Sequence, residues 1–311
     1  MSTFSHIINP VSENENPNLF AIQKITLDSI VESRKRLQPT HSVELIAVAF
    51  SEALAQVGDQ FDKTSVLQRS IVDVHSFSVP RKLPIIHDIL SLGVENASHE
   101  YIIFTNTDIS LMPDFYNVVN YYCAKGHDAI VINRRRIPEK LKDAPLEVMQ
   151  AHVGYAHTGY DCFIFRKQLF QKFIPATICI GIPPAGNDIF YNLFAFAENP
   201  LLLTERHLTF HLGMELRKEW GSKEYLKFNY SAFSNLLKQL DKHIEISKFP
   251  GAELSFFKRH FKWLMNPTFY YPQLFWKDIM DSGKRKKAGK PEVRQRYFEW
   301  LLKKINFRDN D

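Results

Sequence analysis

Asn106–Thr107–Asp108 follows a short, β-rich apolar run, Tyr101–Phe104. On an extended chain residues i and i+2 point the same way. Asn106 and Asp108 are therefore expected side by side, two oxygen ligands just past the carboxyl end of a buried strand. Open α/β sheets place their ligand crevices there. Hard oxygen ligands at such a place suit Mg2+ or Mn2+ held together with substrate phosphates. Asn and Asp are also ordinary turn residues, so the pair gains meaning only from its surroundings.

Four further groups have chemistry in their spacing. Asp188 stands behind Gly186–Asn187 at the start of an expected helix, whose N-terminus is expected to hold a carboxylate ionised. Asp161 follows Thr158–Gly159–Tyr160 and is a second carboxylate that competes with Asp188 for proton transfer or contacts a ligand; its plain alternative is a turn residue ahead of the strand Cys162–Phe165. His207 and His211 have the i, i+4 spacing that would serve a metal on a helix. Leu208, Phe210 and Leu212 alternate with them, however, so the segment reads as a strand. At ~3.3 Å per residue the two imidazoles then stand about 13 Å apart and cannot share an ion. A nucleotide has candidate contacts at Asn9, ending the first strand, at Asp73, ending the third, and at Arg81 and Lys82, ahead of a helix. Asp73 would accept from a base, and Arg81 would fork onto a pyrophosphate. The chain has no GxGxxG, GxxxxGK[ST] or GxSxG motif, so dinucleotide, P-loop and hydrolase-elbow readings lack their fingerprints.

The elements that must position these residues alternate strand and helix, the pattern of an α/β sheet. Strands are expected at Phe4–Asn9, Val43–Phe50, Ser65–Val74, Tyr101–Phe104 and Ala129–Asn133. Helices are expected at Asn18–Leu37, Leu83–Leu92, Pro113–Cys123 and Asn187–Ala197. Leu19, Ile22, Ile25, Ile30 and Leu37 mark the apolar face of the first helix. Ile137–Met149 is irregular, Leu201–Leu212 extended, and helices dominate from Tyr225. Gly283 and Gly289 around Lys284–Lys287 suggest a flexible link before a last helix, Glu292–Ile305.

The chain has 311 residues, 45% hydrophobic and 23% charged, which excludes a disordered or fibrous chain. Three cysteines without a CxxC pair argue against a disulfide framework or zinc knuckle and point to a reducing compartment. No signal-peptide layout and no spanning apolar run is found. The net charge of +5 is uneven: Phe256–Asp311 holds 14 basic and 6 acidic residues, the remainder 25 and 28. The C-terminal region interleaves these basic residues with aromatics. It reads as a segment lying on an anionic membrane surface or as a helical cap packed on the body. No nucleic-acid motif accompanies the charge, so no nucleic acid is expected.

Tyr101–Tyr116, His157–Phe170, Pro183–Phe190 and His207–Trp220, in this order, resemble the GT-A glycosyltransferase superfamily, in particular its bacterial family-2-like members. The resemblance covers roughly residues 4–220. It implies a GT-A-like, Rossmann-type mixed sheet flanked by helices as a catalytic domain over 1–220, with a helical C-terminal extension over 221–311. It implies transfer of a sugar from a UDP- or GDP-sugar to a hydroxyl of a glycan or lipid-linked glycan, assisted by Mn2+ or Mg2+. Asp108, with Asn106 and the late His211, would hold the metal, Asp188 would be the acceptor base, and Asp161 would contact a sugar. Asn106 stands where the family has the first Asp of its metal motif, which removes one negative charge. The expected location is cytoplasmic, with the basic C-terminal region as the segment that would attach the protein to the inner face of a membrane. Two rival readings are a sugar-1-phosphate nucleotidyltransferase, whose glycine-rich loop is replaced here by the acidic Ser12–Asn18, and a degenerate glycan-binding scaffold.

Overall fold

The apolar runs of this chain become strands because each buries alternate residues on opposite faces. A computed structural model describes residues 3–39, 41–57, 60–213, 223–266 and 268–285. In chain order its main elements are β1 (Thr3–Ile8), α1 (Pro17–Lys35), β2 (Ser42–Ala49), α2 (Ser51–Val57), β3 (Lys63–Val66), α3 (Ile86–Asn96), β4 (Tyr101–Thr105), β5 (Ser110–Leu111) and α4 (Phe115–Ala124). They continue as β6 (Ala129–Ile137), α5 (Leu146–Ala151), β7 (Tyr155–Arg166), α6 (Asn187–Phe196), β8 (Pro200–Leu203), β9 (Thr209–Leu212), α7 (Lys223–Leu240), α8 (Phe256–Met265) and α9 (Tyr271–Arg285).

The strands form one mixed sheet in the order β3-β2-β1-β4-β7-β6-β9-β5. Strands β3, β2, β1 and β4 are parallel, and β7 runs against both β4 and β6. The far edge of β6 is shared, β8 covering Ala129–Ile132 and β9 covering Arg135–Ile137. On one face Ile7, Ile46, Val48, Phe104, Val131 and Phe163 pack with α3, α6 and α7. On the other, Phe4, Ile8, Leu45, Ile103, Ile132 and Cys162 pack with α1 and α4. This is the helix-flanked mixed α/β sheet expected from the sequence. Helix α3 lies so close to β1 that a Cβ on Gly93 would stand 2.5 Å from Ile7 Cδ1. The same core holds Phe233, Leu236, Leu237 and Leu240 of α7, Trp263 of α8 and Leu274 of α9. All three cysteines are free and buried.

Several elements differ from expectation. The third strand is only Lys63–Val66, and Ile71–Asp73 is a 3-10 turn. Asp73 therefore does not end a strand: its carboxylate accepts from Ser70 N at 2.7 Å and Ser70 Oγ at 2.8 Å and caps that turn. The second expected helix, Leu83–Leu92, begins only at Ile86, beyond Pro84, and is α3. Helix α2 was not anticipated. Helix α1 buries a largely polar face, Gln23, Thr26, Ser29 and Ser33 beside Leu27 and Ile30, whereas Leu19, Ile22, Ile25 and Leu37 are only half-buried. Helix α9 continues through Gly283 to Arg285, where a link was expected. Met214–Trp220 of the fourth resembling segment, Lys286–Lys287 and Gly289 of the link, and the helix Glu292–Ile305 lie outside the described residues.

Candidate functional site

Register fixes the rim of the sheet. Ile8 pairs with Ala47 on one side and Thr105 on the other, which places Asn9 beside Val48 and Asn106. Asn9 is buried and donates its amide to Val48 O at 2.7 Å. The last residue of β4 is held from below by His6, whose Nε2 lies 2.9 Å from Thr105 Oγ1 and whose Nδ1 lies 2.8 Å from Tyr116 Oη. Burial pushes the His6 imidazole down to about 3, so it is neutral here. Beyond Thr105 the chain does not stay extended. Ile109 N donates to Asn106 O at 3.2 Å, closing a turn, and Thr107 Oγ1 donates to Gln23 Oε1 on α1 at 2.8 Å. The buried polar face of α1 thus clamps the loop that carries Asn106 and Asp108.

Because the chain turns, Asn106 and Asp108 do not stand as a parallel pair. Asn106 Nδ2 donates to Asp161 Oδ1 at 3.0 Å. Asp108 Oδ2 instead meets His211 Nε2 on β9 at 3.0 Å. Burial works against the charge on Asp108, but the His211 contact, with the Arg134 guanidinium adding to it, holds the carboxyl below its ordinary range. The other ring nitrogen of His211, Nδ1, is buried with no hydrogen-bond partner.

Asp161 is not a turn residue ahead of a short strand. It lies within the 12 residues of β7, at a break in the β6–β7 register. Ile132 faces Cys162 and the next residue, Asn133, faces Tyr160, which leaves Asp161 over. An extra residue of this kind re-aims side chains next to functional sites. Here it sets the Asp161 carboxylate between Asn106 and Arg134, which form a hydrogen bond and an ion pair with it. Arg134 is buried and went unnoticed in the sequence. The signal was there: three arginines, Arg134–Arg136, directly behind an apolar strand.

Asp188 opens α6 behind Gly186, whose φ of +85° is left-handed. Asp188 is 5% exposed and its Oδ1 is buried with no hydrogen-bond partner. The helix N-terminus does not hold it at an ordinary carboxylate value. Burial pushes the carboxyl up to about 7, outweighing the N–H groups at the start of α6. The cap of that helix meets β7: a Cβ on Gly186 would lie 3.2 Å from Tyr160 O, one residue before Asp161. Asn266, after α8, donates to Tyr160 Oη at 3.3 Å.

The outer nucleotide candidates have partners of their own. Lys82 pairs with Glu52 at 2.8 Å and lies over the Phe50 ring beyond β2. The Arg81 amide donates to Tyr225 Oη at 2.7 Å. His207 lies ahead of β9 rather than within it, and burial lowers its pKa. It lines an open groove of about 650 Å³ with Asp114, Asn117, Tyr121, Tyr122 and Arg206, a lining that includes none of the other candidates. Among the described residues no group of three or more His, Cys, Asp and Glu side chains converges as a metal cage. The donor set at the rim is one carboxylate and one imidazole, which fits a divalent ion completed by phosphate oxygens.

Comparison with solved structures finds similarity to S. aureus TarS 1-349 in complex with UDP-GlcNAc, 11% identical over 89% of this chain and 79% of that one, with a TM-score of 0.49. The mannosyltransferase PcManGT from Pyrobaculum calidifontis, in complex with GDP-Man and Mn2+, is 11% identical over 97% of this chain and 80% of that one, at 0.45. The M. tuberculosis glucosyl-3-phosphoglycerate synthase is 13% identical over 77% and 81%, at 0.39. No family model and no curated protein matches the chain.

Proposed function

We propose that this protein is a glycosyltransferase that moves a sugar from a UDP- or GDP-sugar to a hydroxyl of a glycan or lipid-linked glycan. The observation that carries the reading is the meeting of Asp108 and His211 at 3.0 Å, on the sheet rim where the Asn106–Asp161–Arg134 cluster also lies. Departure of a nucleoside diphosphate builds negative charge on phosphate oxygens. Mn2+ or Mg2+ held by Asp108 and His211 supplies charge neutralisation there. Asn106 is engaged by Asp161, so it supports the site by fixing the Asp161 carboxylate and is the weakest of the three metal candidates.

Asp188 is the group suited to take the acceptor proton. A buried carboxylate with an unpartnered oxygen and a pKa of about 7 is a strong enough base to accept a hydroxyl proton, yet is available near neutrality. Asp161, held from two sides by Asn106 and Arg134, presents a fixed carboxylate to sugar hydroxyls. Asn9 and Lys82 lie beyond the ends of β1 and β2, on the side of the sheet where a nucleotide would lie.

The nucleotidyltransferase alternative fares less well. The loop after β1 is tied down by Ser12 Oγ to Glu15 Oε2 at 2.9 Å and by Glu13 N to Gln56 Oε1 at 2.8 Å, which leaves no glycine cradle for a triphosphate. Titration calorimetry with UDP and GDP, with and without Mn2+, tests the reading. Metal-dependent heat is expected from the parent and none from Asp108→Ala, which also loses donor hydrolysis and transfer. Unchanged turnover in Asp108→Ala, or no nucleotide heat from the parent, overturns it.

A further inference from the structure

Helix α8 has two unlike faces. Inward, His260 and Trp263 are buried, Arg259 and His260 both meet Asp278 of α9, at 2.7 and 2.8 Å, and Trp263 Nε1 donates to Pro250 O at 2.8 Å. Outward, Phe257 is 84% exposed, Phe261 66%, Leu264 58% and Met265 63%. Their spacing of i, i+4, i+7 and i+8 makes one stripe on the helix, and the exposed Lys258 and Lys262 border it along one side. Large apolar side chains gathered on one face of an anchored helix mark an interaction site.

We infer that the Phe257–Phe261–Leu264–Met265 face of α8 docks on an anionic lipid bilayer, with Lys258 and Lys262 at the headgroups. Charge complementarity selects this occupant. The stripe carries no acid, two lysines flank it, and the region from Phe256 onward holds 14 basic residues against 6 acidic ones. A short helix anchored on one side and apolar on the other lies in the interface plane rather than crossing it. No described helix is long and apolar enough to cross a membrane. The docked helix is tied to the strand that carries Asp161, since Asn266 directly follows Met265 and donates to the Tyr160 hydroxyl on β7. Resting on the glycosyltransferase reading, this geometry favours an acceptor presented by the bilayer, a lipid-linked glycan.

The test is co-sedimentation of the full chain with vesicles of phosphatidylcholine, with and without phosphatidylglycerol. The parent is expected to bind only the anionic vesicles and to be released by salt. Lys258→Glu/Lys262→Glu should weaken binding by about thirtyfold or more, and Phe257→Glu/Phe261→Glu should abolish it. These are surface positions, and an unchanged melting temperature shows that the variants fold. Binding by both variants equal to the parent overturns the proposal, as does a parent that stays in solution. It also fails if reversal of Lys286, Lys287 and Lys290 alone removes binding, or if Phe257→Glu/Phe261→Glu converts a dimer to a monomer in light scattering, since a second copy would then cover the face. UDP calorimetry on the same samples keeps the two readings apart: lost UDP binding with intact vesicle binding counts against sugar transfer and not against docking.

Discussion

A carboxylate with one oxygen sealed from water and unpartnered is costly when ionised, and Asp188 is such a group. Its pKa rises from an ordinary 3.8 to about 7. The folded state therefore holds this proton more tightly than the unfolded chain does. Below about pH 4 the group is protonated in both states and costs nothing. As pH climbs from about 4 to 7 the unfolded chain loses the proton first, and stability declines by an amount of order 4 kcal/mol. Asp188→Asn should remove this decline, making the protein more resistant to urea at pH 8 than the parent, with little difference at pH 4. The same substitution should lower transfer by about 10²- to 10⁴-fold with UDP binding retained. In the parent, kcat/KM should rise through pH 7 as the base loses its proton. A parent profile flat from pH 6 to 8 would remove Asp188 from the base role.

The elements that deliver these residues depend on a few backbone positions. The cap of α6 needs a left-handed residue, Gly186 at φ +85°, pressed against the Tyr160 carbonyl and the Phe163 ring. Gly186→Ala places a Cβ 3.2 Å from that carbonyl oxygen and adds about 1–2 kcal/mol for the left-handed conformation alone. The expected outcome is a lower urea midpoint together with a raised donor KM, because the start of α6 and the Asp161 strand would move apart. A midpoint equal to the parent's would show that the cap tolerates a side chain. The register break in β7 plays the matching role across the site, turning Asp161 toward Asn106 and Arg134.

Over the whole molecule the helices after residue 223 share one core with the sheet. Leu237 of α7, 2% exposed, belongs to the same cluster as Ile7 and Ile46. Leu237→Ala is expected to cost about 2–5 kcal/mol and to shift far-UV circular dichroism and tryptophan fluorescence by the same amount, in one transition. Two separated transitions, with the sheet unaffected, would show that the C-terminal helices fold independently. Strands β1, β2 and β4, helices α4 and α6 and the helical character after Tyr225 were legible in the sequence, because each is a local pattern of apolar spacing that its neighbours reinforce. Residue type alone offers Asp108, Asp161, Asp188 and His211 as candidates. Their relations were not legible. Whether Asn106 looks toward Asp108 or Asp161 depends on a turn fixed by Gln23, 84 residues away in sequence from its partner Thr107. The polar inner face of α1 defeated the apolar periodicity for the same reason, since Gln23, Thr26 and Ser29 are buried to bond Thr107, Ser110 and Leu111, not to fill a core. Arg134 was visible only as charge. The sequence by itself determined which segments must hide from water and which groups carry protons or charge, because those are properties of residues and near neighbours. Tertiary structure alone decided who faces whom and which carboxylate keeps its proton, because desolvation and hydrogen bonding are set by groups distant along the chain.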